Sequence, residues 1–212
     1  MLKLFINTAS SLTSFFCLQN EVLLCFQEWE AKNDEASNLL PRINNCFQDS
    51  NLKFKDIKEI IAVKGPGSFT GLRIGVTVAN TLKSTLQTKL KEIDLFTFYE
   101  NRNPGVKGTI IIKAGKNEVY LKQTNSDLDS VEIHPFNEEV ISKLDTQSWG
   151  DLTNEQEVTL QKWLKSNNNK KWIPNANLLS TPDAIKNIDL QEVPLIKPFY
   201  IKKPAITLSN KN

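Results

Sequence analysis

The chain has 212 residues, 40% hydrophobic and 24% charged, with 26 basic against 24 acidic side chains and a net charge of +2. That balance excludes a disordered, highly charged chain and is too even to mark a nucleic-acid binder, while the length allows one large domain or two small ones. No apolar run reaches about 18 residues and the first positions follow no cleavable-signal pattern, so a soluble, cytoplasmic protein without membrane partners is expected.

From Leu2 to Trp29 three apolar segments are separated by Ala9-Ser10-Ser11 and Gln19-Asn20-Glu21, which predicts an antiparallel meander. Cys17 and Cys25 are then candidate cross-strand neighbours. With Cys46 they show no C-x-x-C spacing, and three thiols without secretion signals read most simply as reduced, partly buried residues, a redox pair being the sharper alternative. A helix capped by Asn33 or Asp34 follows, with Ala36, Leu39, Leu40, Ile43 and Phe47 recurring at helical spacing. Pro41 falls inside it, where a missing N–H and a crowded preceding turn predict a kink or an early break.

Glu59-Ile60-Ile61-Ala62-Val63 is a short β-branched run suited to a strand buried on both faces. Gly65-Pro66-Gly67 breaks it, because proline sets φ and the flanking glycines permit a tight turn. Ser68 or Thr70 can cap the next helix, predicted to run to about Gln87. Within it Gly71, Gly75 and Ala79 make a smooth stripe at i, i+4 and i+8. Two interior glycines cost roughly 1 kcal/mol each against alanine, which implies a steric reason. Leu72, Val76, Ile74, Val78 and Leu82 widen the apolar surface, leaving Arg73, Thr77, Asn80 and Ser84 as a narrow polar strip. Such a helix packs on its own sheet and on something else, either inside one domain or against a partner.

Lys89 to Ile93 is one more candidate strand, and Asn101-Arg102-Asn103-Pro104-Gly105 reads as a linker between halves. Beyond it, Gly108 to Lys113 and Glu118 to Gln123 predict a hairpin, with Val131 to His134 a third strand. Phe136 to Leu144 is a short helix candidate. Asn154 to Lys165 is a better one, behind a Thr153 cap with Gln156 three residues on, and Asn167-Asn168-Asn169 ends it. No internal repeat is visible in the letters. Lysines at 162, 165, 170, 171, 197, 202 and 203 form a solvated surface or, more sharply, a nucleic-acid backbone contact.

Catalytic constellations are sparse. The single histidine, His134, precedes Pro135 and suits a strand end. A histidine metal cluster is excluded, no metal site is predicted, and no residue is assigned as catalytic. Gly65 is not followed by the Gly-Lys-Ser/Thr of a P-loop. Phosphate or nucleotide could still meet the helix start at Gly67 and Ser68, with Arg73 one turn on, although every helix start offers unpaired N–H groups without a ligand.

Gly65-Pro66-Gly67-Ser68-Phe69-Thr70-Gly71-Leu72-Arg73-Ile74-Gly75-Val76 after a short apolar strand resembles the signature of the bacterial TsaB (YeaZ) family. Leu4-Phe5-Ile6-Asn7-Thr8, Ser37-Asn38-Leu39-Leu40-Pro41, Glu118-Val119-Tyr120 and Pro198-Phe199-Tyr200-Ile201-Lys202 resemble further family segments. The likeness is strong to about Lys91 and weaker afterwards. It implies an α/β, actin-like (ribonuclease H-like) fold in two related subdomains, here expected at residues 1–100 and 101–212. It also implies a non-catalytic scaffold in making threonylcarbamoyladenosine at position 37 of tRNA, beside a TsaD-like paralogue that carries the transfer chemistry and a TsaE-like ATPase. tRNA would then be met only through the complex. The expected partner surface is Leu39, Leu40, Ile43, Phe47, Leu72, Arg73, Val76 and Ala79, with Gly65, Pro66, Gly67, Gly71 and Gly75 serving the turn and close packing.

Departures from the family pattern bear on ligands. Family members usually have Asp where Asn7 stands, and an amide is a weaker ligand than a carboxylate for a hard cation. Asn7, Thr8, Ser68 and Thr70 are the candidate phosphate or nucleotide contacts, no resident cofactor is expected, and a nucleotide would sit only between subunits. Glu35-Ala36-Ser37 and Lys113-Ala114-Gly115-Lys116-Asn117 also differ from the usual His-Ser-Glu and Asp-Ala-Arg-x-Gly. The alternatives are a free-standing actin-like ATPase or phosphotransferase, and a TsaB-derived homodimer outside tRNA modification.

Overall fold

The computed structural model describes residues 1–30, 34–165, 170–175, 178, 180–186 and 188–201. Expectations placed on Asn33, on Asn167 to Asn169 and on Lys202 and Lys203 lie outside the described residues.

The opening meander forms as β1 (Leu2–Asn7), β2 (Leu12–Gln19) and β3 (Val22–Glu30). Strands β4 (Ile57–Gly65) and β5 (Lys89–Asp94) add in parallel, giving the order β3-β2-β1-β4-β5. Alternation along each strand sends Leu4, Ile6, Phe15, Cys17, Ile60 and Ala62 to one face and Phe5, Phe16, Ile61 and Val63 to the other. Helices α1 (Glu35–Asp49) and α2 (Phe69–Leu86) cover the first face.

Helix α1 passes through Pro41 without a break. Pro41 is exposed, so the crowding and the lost hydrogen bond fall on the solvent side of a helix held by its buried face. Asp34 occupies the N-cap position, yet its side chain caps nothing, and its Oδ2 accepts from Asn38 Nδ2 at 2.7 Å.

The second sheet contains β6 (Thr109–Lys113), β7 (Glu118–Gln123), β8 (Glu132–Pro135), β9 (Gln147–Asp151) and β10 (Lys171–Trp172), in the order β10-β9-β6-β7-β8. Its central β6 pairs antiparallel with β7 and parallel with β9, just as β1 pairs with β2 and β4. The duplication invisible in the letters is therefore explicit in the topology. Short α4 (Glu138–Ser142) and α5 (Asn154–Lys165) lie outside this sheet around Ile111, Val119 and Leu160. The Thr153 and Gln156 capping box forms, with N–H donors reaching side-chain oxygens at 3.2 and 3.1 Å.

Between the sheets lies a third core, where Phe5, Phe16, Ile110, Ile112 and Trp149 meet α3 (Leu95–Asn101) and α6 (Thr181–Lys186). Trp149 donates its indole N–H to the Tyr99 carbonyl at 2.9 Å, so the burial of a large ring leaves no orphan donor. The sequence pattern does not mark strand β9 or helices α3 and α6. Each is short, and a five- to seven-residue element shows too few periods to be recognised. After α6 the chain returns to the first sheet: Val193 N–H donates to Leu90 O at 2.8 Å and Phe199 N–H to Lys64 O at 2.7 Å.

Candidate functional site

The glycine turn is a joint between backbones. Gly65 holds φ at +122°, open to glycine and strained for other residues, and a side chain there would run into the Phe199 carbonyl. One at Gly67 would strike the Ala9 carbonyl. Further along α2, a side chain at Gly71 would collide with the Thr8 carbonyl and one at Gly75 with the Thr8 hydroxyl. Gly71 and Gly75 thus face the β1–β2 turn of their own chain, and Ala79 is buried with the first sheet beneath α2. Ser68 caps the helix by accepting from Gly71 N–H at 3.2 Å and donates its own N–H to Ala9 O at 2.8 Å.

The candidate phosphate contacts are placed around that joint. Asn7 is buried, its Oδ1 accepting from Ala9 N–H at 3.0 Å and its Nδ2 donating to Ser10 Oγ at 2.7 Å. Thr8, also buried, donates its hydroxyl to Gly71 O at 2.7 Å. Both side chains brace the turn, while Ser68 and Thr70 are exposed at the helix start. Arg73 stacks 3.9 Å over the Phe69 ring, and its Nε donates to Tyr200 Oη at 3.4 Å, tying the start of α2 to the returning segment.

Between the sheets opens a cleft of about 1080 Å³, lined from the first half by Ser11, Gly67 and Phe69 and from the second by Lys113, Asp151 and Glu157. Asp151, at the end of β9, accepts both the N–H and the hydroxyl of Ser11 from the β1–β2 turn. Burial pushes its carboxyl up to about 6, against the opposing pull of the Ser11 hydrogen bonds and the Lys113 charge. Among the described lining residues, Glu30, Glu155 and Glu157 add acidic charge and Lys113 is basic. Asp151 was missed because one Asp ahead of a helix cap carries no chemical pattern of its own. Among the described residues no group of three or more His, Cys, Asp or Glu is placed to hold a metal ion. His134 sits in β8 beside Glu132 at 2.7 Å, away from the cleft lining.

The expected partner surface needs correction. Leu39, Ile43 and Phe47 of α1 and Leu72, Val76 and Ala79 of α2 are all buried in the core between helices and sheet or between sheets. A helix lying on a sheet turns its most continuous apolar face inward, so these side chains serve the core and not a partner. Leu40 and Arg73 are the exposed members of the set, and Ile74, Val78 and Leu82 remain half-buried.

Two sheets of one topology flanking a cleft, with a glycine-lined helix seated on the first turn, define an actin-like α/β protein. A family model described as "TsaD: tRNA N6-adenosine threonylcarbamoyltransferase" matches residues 30–170. Two similar curated proteins are each named "tRNA threonylcarbamoyladenosine biosynthesis protein TsaB". The one from Buchnera aphidicola (subsp. Acyrthosiphon pisum, strain APS) is 24% identical over 74% of this chain and 77% of its own length. That from Bacillus subtilis (strain 168) is 28% identical over 44% of this chain, which covers 41% of its length. Two solved structures from Pseudomonas aeruginosa share the fold. One, described as an uncharacterized protein with similarity to peptidase YEAZ, has a TM-score of 0.59 at 18% identity over 78% of this chain and 92% of its own. The other, YeaZ, has a TM-score of 0.57 at 15% identity over 86% and 97%. The chain belongs to the TsaD family and, within it, to the TsaB (YeaZ) group. Among the described residues no helix is long and apolar enough to cross a membrane.

Proposed function

We propose that this chain takes part in forming threonylcarbamoyladenosine at A37 of tRNA as a scaffold for a TsaD-like subunit, and performs no transfer by itself. The observation that carries this reading is the use of the glycine turn: its glycines and the Asn7 and Thr8 side chains are spent on packing α2 against the β1–β2 turn, and among the described residues no group of three or more His, Cys, Asp or Glu is placed to hold a metal ion. What remains open to a partner is the outer surface of α1 and α2, where Leu40 is 43% exposed and Arg73 is also exposed. Residues 1–100 and 101–212 act as two subdomains, with the segment from Glu192 to Phe199 tying the second back to the first. The protein works in the cytoplasm, holds no cofactor of its own, and meets nucleotide only at the interface of the complex. A TsaE-like ATPase and tRNA join through the TsaD-like subunit.

The test is reconstitution with threonylcarbamoyl-AMP, a tRNA with A at position 37, and TsaD-like and TsaE-like proteins, with and without this chain. Modification is expected only when this chain and the TsaD-like protein are both present. Leu40→Glu should weaken co-purification with that protein at least tenfold and lower modification in parallel, with the melting temperature of the free chain unchanged. Modification by this chain alone would overturn the scaffold reading. A homodimer that persists beside the TsaD-like protein would favour self-association through the same helices.

A further inference from the structure

The three cysteines share one core cluster: the meander already suggests Cys17 and Cys25 as neighbours, and the fold adds Cys46. Cys17 and Cys25 are direct cross-strand partners of β2 and β3. Directly opposed residues of an antiparallel pair lie on the same face of the sheet. Helix α1 packs on that face, and its Cys46 belongs to the same core cluster. All three are free thiols. Cys17 is fully enclosed, whereas Cys25, on the edge strand, is 8% exposed and Cys46 is 7% exposed.

The cluster is asymmetric. As Cys25 loses its proton, the Cys17 thiol and, to a lesser extent, the Cys46 thiol donate hydrogen bonds to it, lowering Cys25 to about 7 despite burial. Cys46 is pushed up to about 12, chiefly by burial and then by its bond to Cys25, with Asp49 adding like charge. Cys17 is raised by its bond to Cys25 and by burial. Cys25 is therefore the sulfur that ionises most readily, beside two thiols whose protons are held. The thiolate is the reactive form, and a nearby second thiol is what turns a sulfenic acid into a disulfide.

We propose that Cys25 is a peroxide-oxidation site, with Cys17 and Cys46 placed as the thiols that resolve its sulfenic acid into an intramolecular disulfide. The Cys25 thiolate attacks one oxygen of hydrogen peroxide, the O–O bond breaks, and hydroxide leaves as water after taking a proton, giving Cys25–SOH. A neighbouring thiol then attacks that sulfur, forming the S–S bond and expelling a second water. Two thiols lose two electrons, and one peroxide becomes two waters. A bridge to Cys46 would join edge strand β3 covalently to α1.

The native chain should be exposed to hydrogen peroxide at neutral pH, alkylated and mapped by mass spectrometry. Trypsin leaves Cys17 and Cys25 on one peptide and Cys46 on another, and a Glu-specific protease separates the first two at Glu21. The free thiols should fall from three to one, in a bridge that contains Cys25 and is reversed by dithiothreitol. Cys25→Ser should keep its two remaining thiols free under the same exposure. If that variant does not fold, the wild-type peptide map decides alone. Three intact thiols at a peroxide dose that oxidises a small thiol standard would overturn the proposal. So would a bridge between Cys17 and Cys46, or Cys25 accumulating as a sulfinic acid without a bridge.

Discussion

The two halves share one strand topology but close their strand-to-helix joints differently. In the first half β4 enters α2 through Gly65-Pro66-Gly67, and the helix approaches the β1–β2 turn so closely that Gly71 and Gly75 touch Thr8. In the second half β9 enters α5 through Asp151-Leu152-Thr153, and no glycine stripe follows. There the joint reaches outward through a side chain: Asp151 crosses to Ser11 of the first half, whereas the first joint meets its own turn at Gly67 and the returning segment at Gly65 through backbone alone. One topology thus accommodates either a backbone-to-backbone joint, which tolerates no side chain, or a side-chain joint, which titrates. The first joint thus lies beside the proposed partner surface, and the second links the halves across the cleft.

The comparison breaks most readily at Gly75. A leucine there must displace Thr8, and overpacking of a well-packed core typically costs 1 to 3 kcal/mol or more. Gly75→Leu should therefore unfold or strongly destabilise the free chain, read as a fall in melting temperature or denaturant midpoint. A variant that keeps its melting temperature and loses only partner binding would place the stripe on the surface after all.

A smaller effect is expected at Asp151, and it depends on pH. Folding raises this carboxyl from 3.8 to about 6, so the folded chain holds the proton more tightly than the unfolded one. The group's contribution to stability is complete below about pH 4 and is lost as pH rises through about 6. Asp151→Asn cannot titrate. At 1.36 kcal/mol per unit, the difference in unfolding free energy between variant and wild type should move in the variant's favour by up to about 3 kcal/mol between about pH 4 and pH 7. Denaturant titrations at both pH values measure it, and a difference independent of pH would show that the carboxyl does not titrate across the cleft.

The two caps should differ least. Ser68→Ala removes the acceptor for Gly71 N–H, and Thr153→Ala removes half of a reciprocal capping box. Each loss is expected at about 1 kcal/mol. Equal melting shifts would show that the helix starts are equivalent despite their different joints. A shift several times larger for Ser68 would show that its cap also supports the glycine joint through the bond to Ala9.

Much of the first half was legible in the letters. Alternating apolar runs specify β1 to β3, the β-branched run specifies β4, and the glycine turn with its serine cap specifies where α2 begins. Those features are local, since strand pleat, turn dihedrals and cap bonds each involve residues a few positions apart. The close packing expected of Gly71 and Gly75 was legible, but the direction of the flanking apolar residues was not, because α2 is apolar over most of its circumference and only the position of the sheets decides that Leu72, Val76 and Ala79 turn inward.

The second half shows the same division more sharply. Periodicity and a capping box marked its hairpin and α5, whereas β9, α3 and α6 were too short to carry a period. Asp151 acquires its properties from burial and from Ser11, 140 residues away in sequence. The three thiols likewise become a cluster only when β2, β3 and α1 bring positions 17, 25 and 46 together. Sequence by itself determined the elements and the joint that only glycine can make, because those follow from dihedral and side-chain periodicity. Tertiary structure decided which surfaces are free and which groups share a dielectric environment, because both depend on what lies opposite in space.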